Sequence, residues 1–260
     1  MIMATIGTAA RWEDLDRELD AWHELGRPAT FWWRDDDAVA DNPRLKRLLA
    51  LARGVPIALA VVPAAAEPAV AARLIETPSA SVIQHGWCHA NHAPASEKKA
   101  ELGAHRPLAA MTAELMTGGQ RLRALFGARA LPVLAPPWNR ITEMLLPRLP
   151  ALGFAALSTY GPRRALSPAP GLVQINTHID LIDWRGSRGF VGAEAAVAAI
   201  VAHLAKRRLG EVDGAEPTGL LTHHLTHDGA AEDFLGALLD RLCHHDAVRW
   251  LALGDAFAVP

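Results

Sequence analysis

Ser-Val-Ile-Gln-His-Gly-Trp-Cys-His-Ala-Asn-His (81–92) joins a short apolar, strand-like run to a group of imidazoles, with His85 and His89 four residues apart. The same pattern of strand followed by ionisable cluster occurs twice more. Phe31-Trp32-Trp33 runs into Arg34-Asp35-Asp36-Asp37, and Leu220-Leu221 runs into His-His-Leu-Thr-His-Asp (223–228). Carboxylates and imidazoles gathered at the ends of several strands suit one hydrolytic metal site. Their recurrence implies an α/β architecture whose strand ends share one face.

Outward from these clusters, helical and strand-like periodicities alternate. Trp12, Leu15, Leu19 and Trp22 share one helical stripe over 11–25, closed by Gly26 and Pro28. The pattern continues with a strand at 30–33, a helix at 43–53, a strand at 57–62, a helix at 68–75 and a strand at 82–84. A polar stretch over 90–105 is too long for a simple connection and reads as a functional loop. Pro107 opens a helix to about 126, weakened by Gly118-Gly119. Strands at 131–135, 154–158, 172–176, 219–223 and 248–251 alternate with helices at 141–151, 193–208 and 229–243, and a Pro/Gly/Arg-rich loop covers 161–171. Such alternation predicts a single domain over 1–260, a parallel sheet of about seven strands closed into a (β/α) barrel.

Composition excludes several function classes. The chain has 260 residues, half of them hydrophobic, and a formal net charge of −2. That balance gives no basic field for nucleic acid and no polybasic membrane patch. Two cysteines, Cys88 and Cys243, are too few for a disulfide framework. Residues 1–10 lack the positive region of a secretory leader, and the apolar run 55–66 is broken by Pro56 and Pro63 and too short to span a bilayer. The expectation is a cytoplasmic protein with a small-molecule or saccharide substrate and neither nucleic acid nor membrane as partner.

Three consecutive acids at a strand end repel one another unless a cation, positive partners or water intervenes. The chemically specific reading makes one a metal ligand and its neighbour a base; the plain one is a solvated loop opening the next helix. His85 and His89 at i and i+4 share one face if the loop after the strand begins with a helical turn, and can then hold one ion. His92 is a candidate for substrate contact, whereas Cys88 packs. Ala135-Pro-Pro-Trp-Asn139 reads as a rigid turn carrying an exposed aromatic, suited to stacking a sugar and aiming a backbone N–H at an oxyanion. Asp183 is a candidate anchor behind the site and Trp184 a pocket wall. Among His223, His224 and His227, one is a candidate general acid.

Together these segments resemble the polysaccharide deacetylase (NodB-homology) family of carbohydrate esterases. That family has a strand ending in paired Asp, then His-x-x-x-His, a Pro-Pro-aromatic turn, Asp-Trp, and an apolar strand ending in His. All five have counterparts here in order, between about residues 30 and 228. The resemblance implies a distorted (β/α) barrel, a divalent metal ion, usually zinc, and hydrolysis of an N- or O-acetyl group. It makes Asp37 the metal-binding acid, with His85 and His89 completing the triad, Asp36 the base and His223 the general acid. Trp138, Asn139, Asp183 and Trp184 would meet the substrate.

A shift of one residue would make Asp36 the ligand and Asp35 the base, and His227-Asp228 competes with His223. Three departures mark a divergent member. Ala135 stands where the third motif has an Arg paired with the catalytic Asp, for which Arg34, Arg140 and Arg185 are the candidates. Gly86 replaces a Ser or Thr, and His224 stands where Asp is common. Hydrolysis of another C–N bond, such as that of a small cyclic amide, and a non-catalytic saccharide- or metal-binding role are the rival readings.

Overall fold

The computed structural model describes residues 11–257; the reading of residues 1–10 as a poor leader lies outside them. Eight parallel strands run in the order β6-β5-β4-β3-β2-β1-β8-β7. They are β1 (Ala29–Ala38), β2 (Ile57–Val61), β3 (Ala80–His85), β4 (Ala130–Ala135), β5 (Ala156–Leu157), β6 (Val173–Gln174), β7 (Ile179–Asp180) and β8 (Thr218–Thr222). A further strand, β9 (Val248–Trp250), pairs with the first residues of β1. The sheet curls into a distorted (β/α) barrel left open between β6 and β7, which carry only two residues each.

Strand alternation divides the core into an outer and an inner layer. In β2, Ile57, Leu59 and Val61 pack outward, while Ala58 and Ala60 join the inner cluster with Trp32, Ile83, Val133, Ala135 and Ala156. Small inner residues leave room for the large ones of β1, whose Trp32 indole donates to Asn176 O at 2.9 Å. The outer layer is covered by α1 (Trp12–Glu24), α2 (Pro43–Ala52), α3 (Pro68–Ile75), α4 (Leu108–Phe126), α5 (Ala193–Leu209) and α6 (Gly229–Cys243). Helix α2 starts cleanly because the Asn42 side chain accepts from the N–H groups of Arg44 and Leu45, with Pro43 in the first turn. A last short helix, α7 (Leu253–Phe257), places Leu253 in the inner cluster.

Two expectations need correction, and one strand falls outside them. No α-helix forms over 141–151: Pro147 and Pro150 remove two donors, and the chain makes 3₁₀ turns at Glu143–Arg148 and Pro150–Leu152 instead. Gly118 does not weaken α4 but lets it approach β3, since a Cβ there would lie 2.4 Å from Gln84 Nε2. Strand β7 lies hidden in a polar stretch. It is recognisable only from its pairing with β8, Ile179 opposite Leu220 and Asp180 opposite Leu221.

Candidate metal centre and catalytic pocket

The site lies at the carboxyl ends of β1, β3, β4, β7 and β8, where a parallel sheet exposes its connecting loops. Simple alternation along β1 would put Arg34 and Asp36 on the inner face and turn Asp35 and Asp37 away. The register breaks this rule. Asp35 pairs with Leu59 but Ala38 with Val61, so β1 holds an extra residue against β2, and Asp37 takes a positive φ of 70°. This bulge re-aims Asp37 towards the end of β3 while Asp36 keeps its inward direction.

His85 ends β3 and is buried. Its Nδ1 lies 2.9 Å from the Ala135 carbonyl, which fixes that nitrogen as an N–H donor and turns Nε2 towards the site. Asp37 Oδ1 is 3.3 Å from His85 Nε2 and 3.3 Å from His89 Nε2. One ligand atom from each of the three residues lies within 4.8 Å of the others. A carboxylate and two imidazoles form a donor set that fits a divalent transition ion. Burial would raise the Asp37 pKa, but the His85 hydrogen bond and the charges of both histidines hold it well below the usual range. Burial opposes protonation of His85, yet Asp36 and Asp37 outweigh it and raise its pKa, whereas burial and His85 together lower that of His89.

The convergence of His85 and His89 does not come from the expected helical turn. Residues 86–92 are irregular, with Gly86 and His89 both at φ 57°. The fully buried carboxylate of Glu101 holds this loop, accepting from Trp87 N–H at 3.2 Å and Cys88 N–H at 2.8 Å. A Cβ on residue 86 would sit 2.0 Å from Glu101 Oε2 and 2.6 Å from Pro137 Cδ. Glycine at this departure from the family pattern is therefore demanded by both φ and space. Gly86→Ala should cost about 2–4 kcal/mol from the left-handed backbone and the clash. A denaturant midpoint unchanged from wild type would contradict this placement of the loop.

Asp36 is held by Arg34 through two hydrogen bonds, Nε to Oδ1 at 2.8 Å and Nη2 to Oδ2 at 3.0 Å. Arg34 is wholly buried and also donates to Ser158 Oγ at 2.8 Å, Ser158 O at 3.1 Å and Asn139 Oδ1 at 2.6 Å. Of the three candidate arginines, Arg34 is thus the one that faces Asp36. Arg140 donates instead to Lys99 O, and Arg185 lies in an exposed loop. The Arg34–Asn139 bond also ties β1 to the turn after β4, where Trp138 and Asn139 adopt consecutive left-handed conformations (φ 56° and 57°). A tryptophan in that region is strained and needs such support. The result places Trp138 against His89, ring centroids 4.3 Å apart.

His223 approaches from β8. Its Nε2 is 3.9 Å from Asp36 Oδ2 and its Nδ1 3.7 Å from Asp180 Oδ1, with Trp184 edge-on at 4.8 Å. Asp180, on the two-residue β7, therefore faces His223 in the place expected for Asp183. Burial raises the Asp180 pKa against the pull of His223, and its carboxylate accepts from Trp184 Nε1 at 2.8 Å. Asp183 serves its own loop instead, where its carboxylate accepts the N–H groups of Arg185, Gly186 and Ser187. Sequence reasoning misses Asp180 because nothing in a two-residue strand advertises its direction.

The remaining acids and histidines are occupied elsewhere. Asp35 is buried on the far face of β1, bonded to Thr222 Oγ1 at 2.6 Å and to the backbone and ring of His224. It clamps β1 to the end of β8. Asp228 caps α6 by accepting from Ala231 N–H, which draws the His227-Asp228 pair towards the helix, while His227 Nε2 lies 3.5 Å behind His223 N. His92 is exposed.

No protein-family sequence model matches the chain, and no curated protein sequence does. Solved structures do match. A Mycobacterium smegmatis protein assigned as a polysaccharide deacetylase has a TM-score of 0.60 at 15% identity over 88% of this chain and 89% of its own. A family 4 acetyl xylan esterase from Clostridium thermocellum, solved with a cobalt ion, has a TM-score of 0.54 at 14% identity over 89% and 93%. A mutant of a family 4 pseudoenzyme with restored enzymatic activity has a TM-score of 0.56 at 11% identity over 88% and 68%. The chain has the fold of the polysaccharide deacetylases of carbohydrate esterase family 4, in a sequence far diverged from theirs.

Proposed function

We propose that the protein is a metal-dependent hydrolase that removes an acetyl group from an N- or O-acetylated sugar or sugar conjugate. One observation carries the reading. The carboxylate and two imidazoles of Asp37, His85 and His89 converge beside an Asp36 clamped by Arg34, with His223 across from it. Asp37, His85 and His89 would hold the ion; zinc suits the donor set, and the cobalt in the Clostridium thermocellum esterase supports a first-row divalent metal. Bound there, such an ion acidifies water and polarises a carbonyl.

The protein's own groups supply the rest. Asp36, oriented by the Arg34 fork, takes the proton of the attacking water. In the turn after β4, the amides of Asn139 and Arg140 bond back to Pro136 O and Pro137 O. The Trp138 N–H makes no such bond among the described residues and can donate to the oxyanion of the tetrahedral acetyl adduct. His223, with the Asp180 carboxylate 3.7 Å from its Nδ1, presents Nε2 to the departing nitrogen or oxygen. Trp138 beside His89 and Trp184 beside His223 are aromatic surfaces against which a sugar face can stack.

Acetate release from N-acetylglucosamine and acetylated oligosaccharides, measured with the metal-loaded protein, tests the reading. Release abolished by chelation and restored by zinc or cobalt is expected. Ammonia or a ring-opened product from a cyclic amide in place of acetate would transfer the assignment to the rival C–N hydrolase. Metal binding without turnover on any of these would assign the protein to the pseudoenzymes.

A further inference from the structure

The carboxylates on the pocket floor already have partners, Asp36 in Arg34 and Asp37 among the residues that would hold the ion, whereas the rim carries cations without them. The loop over 90–105 carries Lys98 and Lys99, both exposed, and is pinned at its base. Asn91 Oδ1 accepts from Ala93 N–H and Ala100 N–H at 3.1 and 3.0 Å, and His92 N–H donates to Ala100 O at 3.0 Å. Lys99 Nζ is held 6.0 Å from the centre of the Trp138 ring, the aromatic that touches metal-ligand candidate His89. Arg140 bonds the Lys99 carbonyl at 2.6 Å through Nη1 alone, so its other N–H groups remain to take a ligand. Neither cation forms an ion pair among the described residues, and Glu97 of the same loop reaches His105 instead, at 3.4 Å. Arg185 and Arg188 are exposed in the loop that follows Trp184.

From this two-tier arrangement we infer that the acetylated sugar carries an anionic substituent, a phosphate or carboxylate, which Lys99 and Arg140 receive at the rim beside Trp138. The inference rests on the deacetylase reading of the same site. The rim cations orient the substrate: an anion held by them beside Trp138 leaves the acetyl group pointing inward. A guanidinium beside an ammonium offers both a fork and a point charge, the combination suited to a phosphate monoester or diphosphate. A neutral polymer would offer these cations hydroxyl oxygens but no charge to pair with.

The test compares N-acetylglucosamine, N-acetylglucosamine 1-phosphate and N-acetylmuramic acid on the metal-loaded protein. Binding is measured by calorimetry and turnover by acetate release, each at low and raised salt. At least one anionic probe should bind several-fold to about tenfold tighter than the neutral sugar, with the advantage shrinking in salt. Preference for the phosphate or for the carboxylate identifies the substituent. Lys99→Gln, whose ammonium makes no hydrogen bond that holds the loop, and Lys99→Gln/Arg140→Gln should remove the advantage stepwise. Equal binding of all three probes, or a preference that survives in the double variant, overturns the inference. Anion-selective binding lost in the variants but without acetate from any probe would uphold the rim and remove the deacetylase reading. Acetate release without discrimination would do the reverse.

Discussion

Arg34→Ala should unfold at a melting temperature roughly 10 °C below wild type and lose deacetylase turnover by a factor of about 10²–10⁴. The stability loss follows from what remains behind. Asp36 is 3% exposed, and both its oxygens are engaged by Arg34. Removing one partner of a buried ion pair costs about 3–5 kcal/mol because the other charge stays buried and unpaired. Loss of turnover has two causes. The fork that orients the Asp36 carboxylate is gone, and the Asn139 bond that supports the strained Trp138 turn disappears with the guanidinium.

A second substitution separates these effects. Arg34→Ala/Asp36→Asn should recover much of the lost stability, because a neutral amide replaces the stranded carboxylate, yet remain inactive. Arg34→Lys should fall between, since an ammonium cannot reproduce the fork. If Arg34→Ala melted like wild type and kept its turnover, the Arg34–Asp36 pair would have no part in folding or chemistry.

Asp36→Asn alone should lower kcat/KM by about 10²–10⁴ while the protein keeps its full metal content. The split is the informative part. Asp37, His85 and His89 make the three-atom cluster without Asp36, so the ion has no reason to leave. Asp35, the other candidate base, is bonded to Thr222 and His224 on the far side of β1. Asp35→Asn should therefore act mainly on stability. Normal turnover in Asp36→Asn would remove it as base, and metal loss in the same variant would make it a ligand.

Much of this arrangement is legible in the sequence, because the signals are local. Apolar runs ending in Asp or His mark β1, β3 and β8, and the four-residue spacing of His85 and His89 brings their imidazoles into view. What is not legible depends on backbone that breaks local rules. The triple Asp cannot be assigned a register from alternation, since a bulge at a positive-φ Asp37 decides which carboxylates share the pocket. Loss of an arginine at Ala135 looks like a missing function. The arginine that bonds Asp36 sits 101 residues earlier on β1; alternation puts the two on one face, but only the fold shows the guanidinium on the carboxylate and tied to the turn after β4. Asp183 beside Trp184 matches a pattern that in space belongs to Asp180, because the Asp183 carboxylate is consumed by its own loop. The helix expected over 141–151 fails for a simpler reason: its apolar spacing is right, but Pro147 and Pro150 weigh more than periodicity.

Everything proposed for the site depends on Asp37, His85 and His89 holding one ion. Elemental mass spectrometry on wild type and His85→Ala, purified side by side without added metal, tests it most directly. Close to one zinc or other first-row ion per wild-type chain is expected and almost none in the variant, with the variant still folded by circular dichroism. Little metal in either protein, and no tight uptake on titration with zinc or cobalt, would contradict it.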